Sequence, residues 1–504
     1  MADGGQYFGI GGENAPSALP IRNPAIRLQN TEQLRRDAET ELFRIRPEAS
    51  CTLGLTPAQM RLARQLGCVV SLGLIALPTL TLIGLTLLVW AFFACLVAQR
   101  AILIGAGWFS RREDPASQES PPKKGRKQIW PVYTILVPVY REPAAVHDLI
   151  AALKGLDYPK RQLDILILLE ESDDLTFAAL QEIQLRPCFR IVRIPEGEVQ
   201  TKPRALNFGL KLARGQFVAI YDAEDQMHAG QIKAAVRAFQ NDRIERGVPP
   251  LACVQAPLVP HNGGEGWIAS QFTQEYGVHF GLIVPGLTKL RCPVPLGGTS
   301  NHFDKRILQE IGGWDPFNVT EDADLGLRIA QAGYRVGSIT PPTYEEAPVK
   351  WWPWVKQRSR WIKGFMQTLG VFLRHPARSM NEMGRSNFVW AVLYLGGSVV
   401  SSLLHGPGLI VLLLTALIPG LAVPALALGL CGAGLSVHIL SCVLTGRVRS
   451  FSSALAMISA PLYWPLQSFA AAKAIFELFR DPYYWDKTEH GVSAETLSRK
   501  KIRH

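Results

Sequence analysis

The chain has 504 residues, with 53 lysines and arginines against 42 aspartates and glutamates, which gives a net charge of +11. About half of the residues (48%) are apolar and only 19% are charged, so the composition excludes a disordered chain and a mini-protein that needs cross-links to fold. The apolar residues lie in long blocks, which argues against a soluble enzyme. The eight cysteines form no C-x-x-C pair and no cluster with histidines, so we expect neither a zinc site nor a disulfide framework.

The N-terminal region is predicted to be a cytoplasmic arm followed by membrane-spanning helices. Residues 1–65 contain eight arginines and no lysine, and one short helix is predicted at 31–45. Residues 68–99 carry no charge and 101–109 are again apolar. Because one crossing needs about 20 residues, 66–109 is predicted to be a transmembrane hairpin, with one very long helix as the alternative. Basic residues on both sides favour an even number of crossings with cytoplasmic flanks.

Residues 129–350 have an ordinary polar composition, in which β-rich apolar runs alternate with helical patterns. The predicted strands are 133–139, 163–169, 190–194 and 217–221, and the predicted helices are 144–156, 204–213 and 226–240. Strands that alternate with helices indicate an α/β domain with a mostly parallel sheet. Ligands of such sheets bind beyond the carboxyl ends of the strands, so the residues that follow each strand are the candidate site.

Carboxylates follow three of these strands. They are Glu142 after the first strand, Glu170 and Glu171 after the second, and Asp222 and Glu224 after the fourth. Crowded like charges repel, so a divalent cation with a phosphorylated ligand is the expected counter-charge. Two carboxylates two residues apart at a strand end can both reach one ion. The alternative for each acidic turn is an ordinary helix cap or loop start.

Basic residues precede the next helix of the domain. Lys202 and Arg204 stand at the start of the helix predicted at 204–213. A helix N-terminus with adjacent cations suits a diphosphate, whereas a solvated basic loop is the alternative.

Two further motifs lie toward the second apolar region. Thr320-Glu321-Asp322 opens a helix predicted at 323–332, for which an ordinary helix N-terminus is the alternative. Gln357, Arg360 and Trp361 are spaced i, i+3 and i+4, so one helix face presents all three. We predict that 351–385 forms interfacial helices, and an aromatic belt with basic residues is the alternative reading of that face.

The second apolar region runs from Phe388 to Phe476 and is interrupted by proline, glycine and arginine. We predict three or four crossings within a C-terminal transmembrane region at 386–478, in which 451–478 either crosses, re-enters or lies at the interface. Residues 479–504 are predicted to be a cytoplasmic tail.

Taken in order, these motifs resemble the processive membrane branch of glycosyltransferase family 2, which includes cellulose, hyaluronan and chitin synthases. Thr320-Glu-Asp322 and Gln357-x-x-Arg360-Trp361 match the T-E-D and Q-x-x-R-W motifs of that branch without change. Asp222-Ala-Glu224 stands where the family usually has D-x-D, so either Glu224 or Asp225 takes the second position. Glu170-Glu171 stands where Asp is usual. The resemblance covers 130–365 and the flanking membrane helices.

The resemblance implies a fold class and a set of site residues. The fold is an α/β domain of the GT-A type, 129–350, which binds a nucleotide sugar and is inserted between transmembrane helix bundles. The implied cofactor is Mg²⁺ or Mn²⁺, and the implied donor is a UDP sugar. The implied roles are metal binding by Asp222 and Glu224; nucleotide binding by Pro138, Tyr140, Glu142, Glu170 or Glu171, Lys202 and Asp222; catalysis by Glu321, Asp322 as the general base, and Arg360; and acceptor binding by Gln357, Trp361, Gly298 and Thr299.

One base without a covalent carboxylate partner fits direct displacement with inversion. The implied function is transfer of a sugar to a growing β-linked polysaccharide. Single transfer to a lipid acceptor is the alternative, and a nucleotide-binding transporter or scaffold is a remote one. The expected partners are a glycan or glycolipid acceptor and membrane lipid, without nucleic acid, because the positive charge lies at membrane flanks. The chain is expected to be multi-pass in a plasma or inner membrane. Residues 483–491 resemble a gating loop, with a solvated tail as the alternative.

Overall fold

The computed structural model describes residues 30–113, 129–242, 248–418 and 424–484. Its strands are β1 (Tyr133–Val139), β2 (Leu163–Glu170), β3 (Phe189–Ile194), β4 (Phe217–Ile220), β5 (Gln226–Met227), β6 (Leu251–Gln255), β7 (Leu258–Pro260), β8 (Asn301–Asp304), β9 (Arg335–Ser338) and β10 (Thr343–Glu345). They form a seven-stranded sheet in the order β3-β2-β1-β4-β8-β6-β9 and a three-stranded sheet in the order β5-β10-β7. In the large sheet only β8 pairs antiparallel with its neighbours.

The helices include short connectors and long apolar segments. They are α1 (Thr31–Ile45), α2 (Pro57–Ala76), α3 (Pro78–Glu113), α4 (Val146–Gly155), α5 (Asp174–Glu182), α6 (Lys202–Leu212), α7 (Gln231–Asp242), α8 (Trp267–Val278), α9 (Val284–Lys289), α10 (Lys305–Glu310), α11 (Glu321–Gln331), α12 (Trp351–Phe372), α13 (Pro376–Met383), α14 (Arg385–Leu417), α15 (Ala425–Leu444), α16 (Phe451–Tyr463) and α17 (Leu466–Arg480). One π-helical turn, His279–Ile283, joins α8 to α9.

The central strands are apolar because both faces of the sheet are covered. All eight residues of β2 are buried. Alternate residues of β1 and β2 face opposite cores: Leu136 and Leu166 pack with the α6 side, and Ile135 and Ile165 with the α4 and α7 side. This is the pattern expected of a parallel sheet between two helical layers.

The predicted strands agree with the structure to within one residue at either end. The helix predicted at 226–240 is partly wrong, since it begins at Gln231. Gln226 and Met227 instead pair with Tyr344 and Thr343 of β10, a non-local contact that outweighs the local helical pattern.

Three helices in the described part of the chain are long and apolar enough to span a membrane: α3, α14 and α15. Whether α2 also crosses stays a prediction. The two short C-terminal helices are tied to the rest of the protein: Trp267 of α8 donates a hydrogen bond to Ser459 of α16 at 2.8 Å, and Ser359 of α12 donates to the carbonyl of Ala470 in α17 at 2.9 Å.

The last turns of α3 join the candidate membrane-spanning helices to the α/β domain. Leu103 and Ile104 are buried, and Gly286 of α9 lies so close to α3 that an added Cβ would stand 2.2 Å from the carbonyl oxygen of Leu103. Because the two backbones touch, a side chain at this glycine would push the helices apart. The α/β domain is therefore held close to the candidate membrane-spanning helices.

The helix predicted at 31–45 coincides with α1 and packs on the α/β domain. Its Glu39 accepts a hydrogen bond from Arg204 of α6 at 3.2 Å, and Asn207 donates to the carbonyl of Ala38 at 3.0 Å. The part of the predicted N-terminal arm that the structure describes thus supports α6, whose first residue is Lys202.

Candidate active site

One cavity of about 1610 Å³ gathers the ends of the central strands, the starts of α6 and α11, and one face of α12. It extends without interruption between the apolar helices α3, α14 and α15. All but one of the site residues predicted from the sequence line it: Pro138, Tyr140, Glu142, Glu170, Lys202, Asp222, Glu224, Gly298, Thr299, Glu321, Asp322, Gln357, Arg360 and Trp361. The exception is Glu171, which is exposed outside the cavity.

The loop after β1 is held by the start of α5. The Arg141 N–H donates to the carboxylate of Asp173 at 2.5 Å, and the Glu142 N–H donates to the hydroxyl of Thr176 at 3.0 Å. Arg141 itself has a φ of 53°, a left-handed conformation that non-glycine residues adopt at some cost. The two hydrogen bonds fix this turn and hold Tyr140 at the cavity wall.

Glu170, at the end of β2, belongs to a buried ionic network. Its carboxylate lies 2.8 Å from Arg204, whose other nitrogen lies 3.2 Å from Glu39. Burial raises the pKa of Glu170 to about 7 although Arg204 opposes the rise. The network sets the direction of this carboxylate at the cavity wall, and of the two predicted glutamates only Glu170 lines the cavity.

Lys202 and Asp222 face each other across the strand ends. The Lys202 ammonium forms an ion pair with Asp222 and donates to the carbonyl of Gly298 at 2.7 Å. Burial lowers the pKa of Lys202, but Asp222, Glu321 and Asp322 raise it, and the net shift is upward. A permanently charged ammonium therefore lies among the carboxylates, where it can meet the anionic part of a ligand.

The acidic turn after β4 contains one structural and two cavity-facing carboxylates. Asp225 is 2% exposed; it accepts a hydrogen bond from the Asp222 N–H at 2.8 Å and another from the Thr299 hydroxyl. Burial raises its pKa well above the ordinary value. Asp225 thus closes the turn, and Glu224 is the second carboxylate of this turn that lines the cavity, with Asp222.

The T-E-D motif lies at the start of α11, beside the Gly297–Gly298 turn. Asp322 accepts from the Ala323 N–H at 2.8 Å, and a Cβ added to Gly298 would lie 3.4 Å from the Asp322 carboxylate. Burial raises the pKa of Asp322 and of Glu321, and Asp322 adds to the rise at Glu321, whereas Lys202 and Arg360 oppose both. A carboxylate with a raised pKa is a stronger base than a solvated one.

Glu345 is a site residue that the sequence analysis missed. It lines the same cavity, and burial, together with the negative charges of Glu224 and Asp222, raises its pKa to about 8. Its position depends on the small sheet in which β10 pairs with β5 and β7. The Glu345-Glu346 pair before the tryptophan-rich segment was the only local signal for it.

Trp361 is held between aromatic rings and a buried ion pair. Its ring centroid lies 6.2 Å from that of Tyr276 with the planes nearly parallel, at 28°. Arg358 stands 4.5 Å from the Trp361 centroid and binds Glu275 through two contacts of 2.6 Å. The indole plane is therefore fixed, as a stacking surface for a sugar ring requires. Neither Arg358 nor Glu275 was predicted.

Gln357, one turn before Trp361 and Arg360, presents an amide with unused hydrogen-bonding capacity. The residue is 8% exposed and lines the cavity, and its Oε1 atom has no hydrogen-bond partner among the described residues. A buried polar atom without a partner is costly unless a ligand or water satisfies it. Gln357 is thus suited to bind a hydroxyl group in the cavity.

A close contact between α12 and the T-E-D motif fixes the distance between α12, which carries Gln357 and Trp361, and the start of α11, which carries Asp322. A Cβ added to Gly364 would lie 2.3 Å from the hydroxyl oxygen and 2.7 Å from the Cβ of Thr320. Backbone and side chain touch here without space for a methyl group, so Gly364 determines the approach of α12 to α11.

We therefore expect Gly364→Ala to lower the free energy of unfolding by about 1–3 kcal/mol through overpacking and to reduce turnover by displacing Asp322. Thermal unfolding in detergent and enzymatic rate are the measurements. Gly370→Ala, on the same helix, meets only the Leu55 methyl at 3.3 Å and is the matched control. Equal stability and rate of the Gly364→Ala variant and the parent would contradict this role.

The carboxylates fit a divalent cation that is shared with a phosphorylated ligand. Within the described residues no group of three or more histidine, cysteine, aspartate or glutamate side chains could hold a metal by itself. Magnesium is commonly bound by one or two carboxylates together with substrate phosphates, and Asp222 and Glu224 supply such oxygens. Burial and the negative charges of Glu224 and Asp222 raise the pKa of Glu345 although Lys202 opposes the rise, so negative charge exceeds positive charge around these carboxylates.

The chain matches two models of known protein families. The chain matches the model "Glycosyl transferase family 2" over residues 134–275 and the model "Glycosyl transferase family group 2" over residues 217–466. The two matches together contain every predicted site residue.

Curated relatives are similar over about half of their length. The chain is 24% identical to a probable glycosyltransferase of Bacillus subtilis, over 48% of this chain and 57% of the relative. It is 25% identical to a β-monoglucosyldiacylglycerol synthase of Synechocystis, over 56% of each, and 26% identical to a poly-β-1,6-N-acetyl-D-glucosamine synthase of Staphylococcus aureus, over 47% and 55%.

Among solved structures, a mannosyltransferase of Pyrobaculum calidifontis in complex with GDP-Man and Mn²⁺ aligns with 77% of this chain and 99% of its own. The sequence identity is 19% and the TM-score is 0.46.

Proposed function

Because this chain is a glycosyltransferase with a family 2 domain of the GT-A type, we propose that it moves a sugar, with inversion, from a nucleotide diphosphate sugar to a hydroxyl group presented from the membrane. The observation that supports this most directly is the single cavity shared by Asp222, Asp322 and Trp361. Donor, base and acceptor surface then have access to one reaction space, as direct displacement requires.

We assign the donor end of the cavity to a UDP sugar. Glu170, fixed by Arg204, would bind the nucleoside, while Lys202 and Arg360 would face the diphosphate. Asp222 and Glu224 would hold Mg²⁺ or Mn²⁺, which supplies positive charge to the departing diphosphate. Charge that develops on the leaving group is stabilised most by groups already oriented toward it, and the Lys202 contacts provide such orientation.

Asp322 performs the proton transfer. The acceptor hydroxyl gives its proton to the Asp322 carboxylate, its oxygen forms the new bond to the anomeric carbon, and the bond from that carbon to the diphosphate breaks with its electron pair. Since attack comes from the side opposite the diphosphate, an α-linked donor gives a β-linked product.

Two acceptor classes fit this scheme. A growing β-linked polysaccharide is favoured by the Q-x-x-R-W helix, whose Trp361 gives a fixed stacking surface. A lipid is favoured by the wall of the cavity beyond His405, which is almost entirely apolar and includes Leu409, Leu412 and Leu428. A glycan in that part would lose hydrogen bonds to water without replacement, at about 1–3 kcal/mol for each buried polar group.

The acceptor classes are separated by the size and solubility of the product. The full chain, reconstituted in lipid with Mg²⁺ or Mn²⁺ and a panel of UDP sugars, should release UDP and transfer labelled sugar. A high-molecular-weight product that resists lipid extraction would identify the polysaccharide, and one sugar in the lipid extract would identify the lipid. Absence of both, with no release of UDP, would refute the proposed function.

We further infer that the catalytic domain faces the cytoplasm of a multi-pass protein in a plasma or inner membrane. Arginines and lysines cluster on both sides of the first apolar block, as they do on the cytoplasmic side of membrane helices. Protease protection of a tag on the catalytic domain in sealed vesicles of known orientation would test this.

A further inference from the structure

Arg100 is a cation within a membrane helix for which the proposed chemistry gives no role. It follows the uncharged run 68–99 and belongs to α3, one of the candidate spans. Its side chain lines the cavity, and it forms no ion pair or hydrogen bond among the residues that the structure describes. Ionisable groups in membrane helices are costly and face functional cavities or partners, so Arg100 calls for an anionic ligand.

Arg100 lies near the point where α3 meets the catalytic domain. Three residues later, Leu103 is buried and its backbone touches α9 of the catalytic domain. The neighbouring Gln99 donates to the main-chain carbonyl of Trp390 in α14 at 3.1 Å, so α3 and α14 are joined beside Arg100. The cation therefore lies beside the contact between α3 and α14 and close to the catalytic domain.

The surroundings of Arg100 leave its charge unmatched. Burial lowers the pKa of His279 to about 4. The charge of Glu275 acts to raise this pKa, and the charge of Arg100 acts to lower it further. The imidazole of His279 is therefore neutral near pH 7. The hydroxyl of Tyr394 lies 3.1 Å from its Nδ1 atom. Glu275, the nearby carboxylate, is already bound by Arg358 through both oxygens. A bound anion would therefore find Arg100 available.

The cavity beyond Arg100 suits hydrocarbon. Toward the other end of the membrane helices its wall is formed by α3, α14 and α15 and contains apolar side chains, among them Phe93, Val97, Leu412, Leu428 and Leu435. Toward the catalytic domain the wall is polar, with Gln357, Asp322 and Glu321. A ligand that fills both parts has a charged, hydroxylated head and apolar chains.

We propose that Arg100 binds the phosphate of an anionic phospholipid whose headgroup carries a free hydroxyl, and that this lipid is the acceptor. The inference rests on the alternative of the proposed function in which the acceptor is a lipid. The hydroxyl is required because an alcohol must give up its proton to a general base as it attacks. A terminal phosphate is already an anion and would attack without a general base. The headgroup hydroxyl loses its proton to Asp322 and bonds to the anomeric carbon, and the nucleotide diphosphate leaves with the electron pair.

The test uses the full chain in phosphatidylcholine nanodiscs that contain either phosphatidylglycerol or diacylglycerol, with labelled UDP sugars. Phosphatidylglycerol has the phosphate and the hydroxyl, and diacylglycerol has the hydroxyl alone. We expect labelled phosphatidylglycerol, and we expect Arg100→Gln to lower kcat/KM for it about tenfold or more, the effect of losing a charge-assisted contact. Arg100→Lys should restore part of the rate.

A binding measurement separates the lipid site from the chemistry. Native mass spectrometry should show phosphatidylglycerol retained by the parent and lost from Arg100→Gln, while UDP affinity stays equal and shows that the variant is folded. Arg112→Gln is the matched control, because Arg112 lies on the same helix over Trp108 and outside the cavity. Arg112→Gln should change neither the retention of phosphatidylglycerol nor the affinity for UDP.

Three results would overturn the inference and leave the proposed function intact: equal rates and lipid retention for Arg100→Gln and the parent, transfer to diacylglycerol alone, or equal transfer to soluble glycerol phosphate. A polysaccharide product made without a lipid acceptor would overturn it as well. Failure of the proposed function looks different, since the parent would then release no UDP from any donor.

Discussion

Asp322→Asn is expected to retain UDP binding and to lose sugar transfer by about 10²–10⁴-fold, the usual contribution of a general base. The amide keeps the size of the carboxylate and can still accept from the Ala323 N–H, which lies 2.8 Å from Asp322 in the parent, but it cannot take a proton from the acceptor. Titration calorimetry with UDP and transfer of labelled sugar are the two measurements.

Asp174→Asn is the matched control, because Asp174 also lies in the first turn of a helix but is exposed and outside the cavity. Burial raises the pKa of Asp322, so kcat/KM of the parent should fall with decreasing pH at a higher pH than a solvated aspartate would give. The residual activity of Asp322→Asn should lack this acid limb. Transfer at the parent rate would refute the assignment of the base.

Asp222→Ala is expected to weaken metal-dependent UDP binding about tenfold or more, since a contact to a charged group contributes about 1.5–3 kcal/mol. The substitution removes one oxygen ligand of the proposed ion and the partner of Lys202. UDP affinity with and without Mn²⁺, measured on the same protein, is the readout. In the absence of metal, the variant and the parent should differ little in their affinity for UDP.

The neighbouring acidic positions make this test specific. Glu224→Gln should behave like Asp222→Ala, because both carboxylates line the cavity. Asp225→Asn should instead lower the melting temperature, since Asp225 is buried and accepts from the Asp222 N–H and the Thr299 hydroxyl. Unchanged metal-dependent binding in Asp222→Ala and Glu224→Gln would place the ion elsewhere.

Local pattern was sufficient for most of the elements and for most of the residues that line the cavity. The run Tyr133–Val139 is uniformly apolar because β1 is covered on both faces, so its bounds follow from the sequence. Carboxylates after β2 and β4 were identified because parallel strands end at one edge of the sheet. Glu345 and the Arg358–Glu275 pair escaped prediction because each depends on contacts between distant segments.

The sequence by itself determined the class of the protein: an α/β domain between apolar blocks, with T-E-D and Q-x-x-R-W at fixed positions. These features depend on residue type and on short spacings along the chain, so they can be identified without knowledge of the folded structure. Only the tertiary structure decided that Glu224 lines the cavity whereas Asp225 is buried in the turn, that Glu170 is held by Arg204, and that the cavity continues to Arg100. The reason is physical, since the exposure of a side chain and its partners arise when remote segments pack together.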